Sequence, residues 1–487
     1  MDPDKDGANL VEILDWAESH LNWLAYKDGK LRLGAVGSSY GGGYQLALLA
    51  IDPKNRLQAI VPQITWHNLA YSLAPGGVPK TTYALLLTSL AETGSQAGFE
   101  PRISRMLAKG LLNNELEPAD RRELTYHSLK YACDGGRYGD MPARPVPKVD
   151  ALLMQGMHDV LFNVNESYAN YQCLSRAGGD VRLMTYQFGH VLPLSSDGLQ
   201  AVPGIGEEAK NCGRYSAAKA ELAWLQAKLQ DKPELLDSIP KMCISLDAKG
   251  DAVEPAAFPV GGAAASVKPT LVTPTALGAL PVAYPLYVAD ADRVLAGIPQ
   301  AVLNVEGVVG SLTEVGDPIL FVGLGRVSAQ GLIEPIGDQV RPLKGWGKHS
   351  LDLNAVGWRM RKGEKLYLLV YGSHPQFPSS SSRFTMPAAV VSGVLGLPLQ
   401  GASGSVRAGV DRAAPAGSVA PVLVPKVELL PAPMASAVNQ VESGVTGGAG
   451  TVIHMVTNPV ADVAGPLIFG SVNKAVNAVK GVFSVFK

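Results

Sequence analysis

Leu31-Arg32-Leu33-Gly34-Ala35-Val36-Gly37-Ser38-Ser39-Tyr40-Gly41-Gly42-Gly43 decides the reading of this chain. Leu31–Val36 is short, apolar and β-prone, Gly37–Gly43 is a glycine-rich turn, and Tyr44–Ile51 has helical character. Gly37-x-Ser39-x-Gly41 between a strand and a helix is the context a nucleophile elbow requires. There the serine backbone is strained and its hydroxyl stands above the sheet edge. Side chains at the flanking glycines are expected to clash with the neighbouring strand and helix. The Tyr40 N–H, at the start of the helix, is placed to meet a developing oxyanion.

A serine needs a base, and the base needs a carboxylate to orient it, in the chain order Ser, acid, His. Asp159 follows the β-prone Asp150–Gln155 and a Gly156-Met157-His158 turn, and His190 follows Val181–Gln187 and Phe188-Gly189. The intervals, 159 − 39 = 120 and 190 − 159 = 31 residues, leave room for a helical insert and for one helix plus one strand. Bland alternatives exist. Ser39 could sit in a nucleotide-binding glycine loop, but no Lys-Ser/Thr and no GxGxxG is present. Asp159 could cap a helix, with His158 a competitor beside it, and His190 is one of 8 histidines. His67 and His127 read as structural, and Glu166 as opening the helix after the acid loop.

Outward from this core, residues 9–24 read as an amphipathic helix and Lys27-Asp28-Gly29 as a turn. Leu57–Thr65 is a further strand. Helices are expected near 81–92, 101–112 and 119–133, then around Asn165–Ala177 and over Ser216–Leu229. Strands alternating with helices predict a mostly parallel α/β sheet with a helical insert at about 75–145, the whole spanning residues 1–240. Residues 241–280, rich in Ala and Pro, read as a linker. The runs Ala301–Val305, Ile319–Leu324 and Lys365–Tyr371 place a β-sandwich over 281–398. Residues 399–487 read as a Gly, Ala, Pro and Val-rich tail, loosely packed over 400–450. Val472, Val476, Val479, Phe483 and Phe486 suggest a terminal amphipathic helix that docks on its own protein or, less simply, touches a membrane surface or a partner.

Composition narrows the function. The 487 residues are 47% hydrophobic and 17% charged, enough for two or three domains with sizeable cores. A net charge of −1 argues against a nucleic-acid binder. The four cysteines are too scattered for a CxxC zinc site, though one or two disulfides fit. No apolar run is long enough to span a membrane. The acidic start Met1–Asp6 lacks a signal-peptide core, so the chain as written is expected in the cytoplasm.

These stretches resemble a known family. Asp6-Gly7, Val11-Glu12-Ile13-Leu14-Asp15-Trp16 and Gly37–Gly42 are similar to the Xaa-Pro dipeptidyl-peptidase and cocaine-esterase-like acyl hydrolases. So are Gly156–Phe162 with Glu166-Ser167, and Leu183 through Gly189-His190. The similarity extends over about 1–395, through Asp352-Leu353-Asn354 and Gly363–Leu368. It implies an α/β-hydrolase fold with a helical cap and a C-terminal jelly roll, acting on esters or on amides such as Xaa-Pro dipeptides. That fold normally has further strands before the nucleophile strand, yet only 30 residues precede Leu31. Met1 is therefore expected to be an internal methionine of a longer protein, and a leader upstream would make it an exported one. The Leu31–Val36 strand is expected as an exposed edge. The family's second oxyanion donor, typically a tyrosine hydroxyl, has no match here, and such a donor is typically worth about 2.7–4 kcal/mol.

The expected function is that of a serine hydrolase using Ser39, Asp159 and His190, with Tyr40 N–H as oxyanion donor and a small ester or short peptide as substrate. No metal or cofactor is implied, and homo-oligomers are compatible with it. Trp66, Tyr71 and Tyr83 are candidates to line an acyl or leaving-group pocket, with plain core packing the alternative. Two other classes compete: an inactive truncated form or pseudoenzyme, and a ligand-binding protein using Trp346 or Trp358 of the sandwich.

Overall fold

The computed structural model describes residues 2–94, 100–136, 141–191, 210–274, 280–328, 331–401 and 405–407. Its central sheet has seven strands in the spatial order Ser405–Arg407, Asp251–Val253, Met242–Ser245, Val181–Tyr186, Asp150–Gly156, Leu57–Gln63 and Leu33–Ser38. The last five are parallel to one another and the first two antiparallel to their neighbours. Asp150–Gly156 and Val181–Tyr186 are buried almost throughout, as expected of central parallel strands with both faces covered. The helices Tyr40–Ile51 and Val164–Arg176 cover one face, where Leu46, Leu49, Leu153, Leu174 and Leu183 share a core. Ala217–Leu229 covers the other through Ala220 and the fully buried Trp224.

Leu33–Ser38 is the outermost strand among the described residues, with Val36 48% exposed, so the expected open edge is present. The strand begins two residues later than the apolar run suggests. Lys30–Leu31 pairs instead with Tyr26–Lys27 across the positive-φ residues Asp28 and Gly29, as a two-residue hairpin turn favours. The helix behind the turn starts at Tyr40, not Tyr44, so the three glycines form its first turn.

The insert is helical as expected, with Leu69–Leu73, Thr81–Gly94, Pro101–Asn113, Pro118–Tyr126 and Leu129–Cys133. Cys133–Cys173 ties its end to the helix after the acid loop, and Cys212–Cys243 ties a short hairpin to a strand of the sheet.

Composition misleads over 241–280. Rather than a linker, Met242–Ser245 and Asp251–Val253 extend the central sheet, and Ala263–Val272 is a ten-residue strand of the C-terminal part. Ile244, Val253, Val267 and Val272 are buried. Pro255 and Pro259 fall between strands, and Pro269 sits where the register shifts between Val267 and Thr270, a position that needs no ladder N–H. The C-terminal part holds two four-stranded antiparallel sheets. Leu303, Val305 and Leu395 of one meet Val322, Leu324 and Leu368 of the other in one core. The expected tail likewise begins with structure: Leu399–Gly401 pairs with Arg293–Gly297, and Ser405–Arg407 joins the central sheet. The terminal amphipathic helix lies outside the described residues. Of the two tryptophans considered for ligand stacking, Trp358 is buried in the sandwich core, and Trp346 donates its indole N–H to the Gly316 carbonyl.

The two parts share an apolar interior. Val294, Ala296, Ile298 and Ala355 pack in the same core as Leu153, Leu183 and Ile244 of the central sheet.

Candidate active site

Ser39 has φ 56° and ψ −119°, a backbone state L-residues adopt only when their surroundings impose it. Its N–H donates to the Gln63 carbonyl at 2.9 Å, and its own carbonyl accepts from the N–H groups of Gly42 and Gly43. A Cβ on Gly37 would lie 3.1–3.3 Å from the Gly41 backbone, closer than side chains normally come to backbone, so the tightness of the turn favours glycine there. Gly41 itself faces open space, contrary to the expected clash. The tight approaches are at Gly42, where a Cβ would lie 2.8 Å from the Thr65 side chain, and at Gly43, where it would lie 2.2 Å from the Trp66 ring. These glycines let the helix settle on the segment that follows the Leu57–Gln63 strand.

Three side chains that stand far apart in the chain meet above the strand ends. Ser39 Oγ is 2.8 Å from His190 Nε2, and His190 Nδ1 is 2.7 Å from Asp159 Oδ2. Asp159 is fully buried, and its other oxygen accepts from the N–H groups of Leu161 at 3.0 Å and Phe162 at 2.6 Å. With Oδ1 occupied by two N–H donors, Oδ2 is left to orient the imidazole. His190 is held through its backbone as well: its carbonyl accepts from the Tyr83 hydroxyl at 2.8 Å and from the Val160 N–H at 3.0 Å. The competing His158 turns away, with Nε2 2.9 Å from Gln187 Oε1. The Tyr40 N–H opens the helix, among the first-turn donors that lack an intrahelical acceptor.

The aromatic candidates divide. Trp66 lies against Phe162 at 5.2 Å and Tyr40 at 6.2 Å between ring centroids, and the Phe162 and His190 rings stand nearly perpendicular with centroids 5.1 Å apart. Tyr83 supports His190, and burial pushes its hydroxyl pKa well up. Tyr71 belongs elsewhere: its hydroxyl accepts from Asn163, and the Arg341 guanidinium of the sandwich lies 4.4 Å from its ring centre. Phe162 joins these aromatics beside the histidine, and its position three residues after Asp159 is the sequence signal for it.

Two buried ionisable groups flank the acid loop. Lys80 is 1% exposed and donates to the carbonyls of Val160 at 2.7 Å and Leu161 at 3.0 Å. Burial lowers its ammonium pKa to about 7, against the pull of Asp159. Glu166 lies in the first turn of the next helix, as expected, and its Oε2 accepts from His67 N–H, Asn68 N–H and the Ser72 hydroxyl. Burial nevertheless raises its pKa to about 7. His67 is buried beside Asn170 and is pushed down to about 4, in keeping with a structural role. Among the described residues no three His, Cys, Asp or Glu side chains are grouped to hold a metal ion, and no helix is long and apolar enough to cross a membrane.

Residues 1–192 match the model of the X-Pro dipeptidyl-peptidase (S15) family, a span that includes Ser39, Asp159 and His190. Among solved structures, an α-amino acid ester hydrolase is similar at 12% identity and TM-score 0.55, over 82% of this chain and 80% of that one. A CocE/NonD family hydrolase from Staphylococcus aureus is 14% identical with TM-score 0.49, over 80% and 75% of the two chains. An aminopeptidase from a marine sediment Thaumarchaeota archaeon is 12% identical with TM-score 0.49, over 81% and 80%. No curated protein matches the sequence. The likeness to the ester hydrolase establishes the fold: an α/β-hydrolase sheet with an appended β part.

Proposed function

We propose that this chain, whose residues 1–192 match the model of the X-Pro dipeptidyl-peptidase (S15) family, works as a serine hydrolase, cleaving an ester or the amide bond of a short peptide through an acyl-enzyme. The observation that carries this reading is the unbroken line from Asp159 Oδ2 through His190 to Ser39 Oγ, with separations of 2.7 and 2.8 Å.

In this mechanism His190 Nε2 takes the hydroxyl proton as Ser39 Oγ attacks the substrate carbonyl carbon. Asp159 keeps the proton on Nδ1 and stabilises the imidazolium that forms. The oxyanion meets the Tyr40 N–H, and the N-terminal end of the Tyr40–Ile51 helix adds favourable potential. The imidazolium protonates the leaving oxygen or nitrogen, and the neutral imidazole then activates water against the acyl-enzyme. The aromatic group of Tyr40, Trp66 and Phe162 offers an apolar wall beside the reacting centre, suited to an acyl chain or an apolar leaving group. All four cysteines are paired, which fits an oxidising compartment better than the cytoplasm.

The test is incubation of the purified chain with a fluorophosphonate probe, followed by peptide mass mapping. An adduct on Ser39 that is lost in His190→Ala is the expected result. A folded chain that takes up no probe at Ser39 refutes the reading. Release from a short acyl ester measured against a chromogenic Xaa-Pro dipeptide then assigns the bond.

A further inference from the structure

The loop that carries Asp159 is held from outside by two elements that are remote from it in sequence. Gln339, on the sandwich strand Ile333–Lys344, is 3% exposed and donates its amide N–H groups to the carbonyls of Met157 at 3.2 Å and Asp159 at 3.0 Å. Its carbonyl oxygen accepts from Asn354 at 2.9 Å, and the Asn354 carbonyl accepts from Asn163 at 2.9 Å. One sandwich network thus grips both ends of the acid loop. From the insert, Lys80 takes the two carbonyls between, those of Val160 and Leu161. Carbonyls 157, 159, 160 and 161 are therefore all engaged by side chains from elsewhere in the fold.

The sandwich strand is distorted where this happens. Its pairing with Ile319–Val327 shifts register between Gly323 and Gly325, and Gly337 and Asp338 have φ of 63° and 54°. Gln376 donates to the Asp338 carbonyl at 2.7 Å and braces the bulge. A Cβ on Gly337 would lie 2.9 Å from the Met157 carbonyl oxygen, so the bulge rests directly on the acid loop. Bulges re-aim side chains, and strained backbone persists where the surroundings over-determine it.

We propose that Gln339 and Lys80 are positioning residues for the hydrolytic reaction: by holding the carbonyls of the acid loop they set the direction of the Asp159 carboxylate toward His190, which makes the β-sandwich and the helical insert working parts of the active site. The proposal rests on the serine hydrolase reading above. Neither residue touches the reacting atoms. Both act through the loop, and misplacement of a supporting group by about 1 Å can cost a hundredfold in rate.

The test compares Gln339→Met and Lys80→Met, which keep length and remove donors, with Val305→Ala, a core truncation elsewhere in the sandwich. Each is measured for kcat, KM, the rate of fluorophosphonate labelling at Ser39, Tm, and the downfield proton signal of the His190 Nδ1–H held by Asp159. Expected are a fall in kcat and labelling rate of about 10–100-fold with KM changed less than about threefold, and loss or upfield movement of the His190 signal. Val305→Ala should lower Tm yet keep kcat and the signal. The proposal is overturned if Gln339→Met and Lys80→Met keep kcat within twofold, or if Val305→Ala loses kcat in proportion to its Tm. Should Gln339→Met fail to fold, Lys80→Met decides by the same criteria. An unlabelled wild-type chain would sink the hydrolase reading instead. The His190 signal would then decide the positioning role by itself: its persistence in both variants overturns it.

Discussion

Gly189 and Asp159 approach so closely that a Cβ on residue 189 would fall 2.5 Å from the Asp159 Cβ and 2.9 Å from its amide nitrogen. The glycine also has φ of 146°, outside the range other residues adopt readily. The segment before His190 can therefore pass over the acid loop only without a side chain at this position. On the other side, a Cβ on Gly156 would lie 1.6 Å from the Phe188 carbonyl oxygen, so the two loops interlock through a pair of glycines.

Gly189→Ala is accordingly expected to separate His190 from Asp159 while leaving the sheet intact. The loss in kcat should be about a hundredfold or more, with far-ultraviolet circular dichroism unchanged. Steady-state kinetics on an ester substrate check it, and full activity in this variant would show that the loops can part without consequence.

Glu166 makes stability depend on pH in a particular direction. Its pKa is raised from an ordinary 4.5 to about 7 by burial, so the folded chain keeps a proton that the unfolded chain gives up. The stabilisation is fully present below about 4.5 and is lost as pH rises through about 7. A displacement of this size is on the order of a few kcal/mol. Glu166→Gln keeps an acceptor for His67, Asn68 and Ser72 and does not titrate. Between pH 5 and 8 the Tm of the wild type should fall relative to that of Glu166→Gln, and parallel Tm curves would contradict the assignment.

Cys212–Cys243 anchors the described chain beyond His190 to the strand Met242–Ser245. Replacing both cysteines by alanine should lower stability by about 2–4 kcal/mol, the usual range for such a bridge. Denaturant unfolding with and without reductant measures it. The double variant should show no further response of Cys212 and Cys243 to reductant, only that of Cys133–Cys173.

Much of this site is local in origin and was legible for that reason. A glycine-flanked serine between a strand and a helix, and an acid and a histidine each just past a strand, are patterns that neighbouring residues dictate. Ser39, Asp159 and His190 stand together where that order placed them. The glycine requirement was only half legible: Gly37 follows from the turn itself, whereas Gly43 depends on Trp66, which arrives from the segment after the next strand, Leu57–Gln63. Gln339 could not be read at all, because its role arises from a bulge and a partner loop about 180 residues away. The Ala and Pro content of 241–280 concealed three strands, since burial of alternate residues such as Val253 and Val267 is set by the sheets they join.

The return of the chain to the central sheet has a mechanical consequence. After Asp251–Val253 the polypeptide builds the whole sandwich and then lays Ser405–Arg407 beside that same strand. The sandwich is thus spliced into the sheet through two crossings, entering and leaving side by side. A module hung on one tether can swivel or be cut away, but one sewn in at both ends is braced against rotation, and a single cut leaves it attached. The sandwich and the sheet should therefore melt together as one cooperative body.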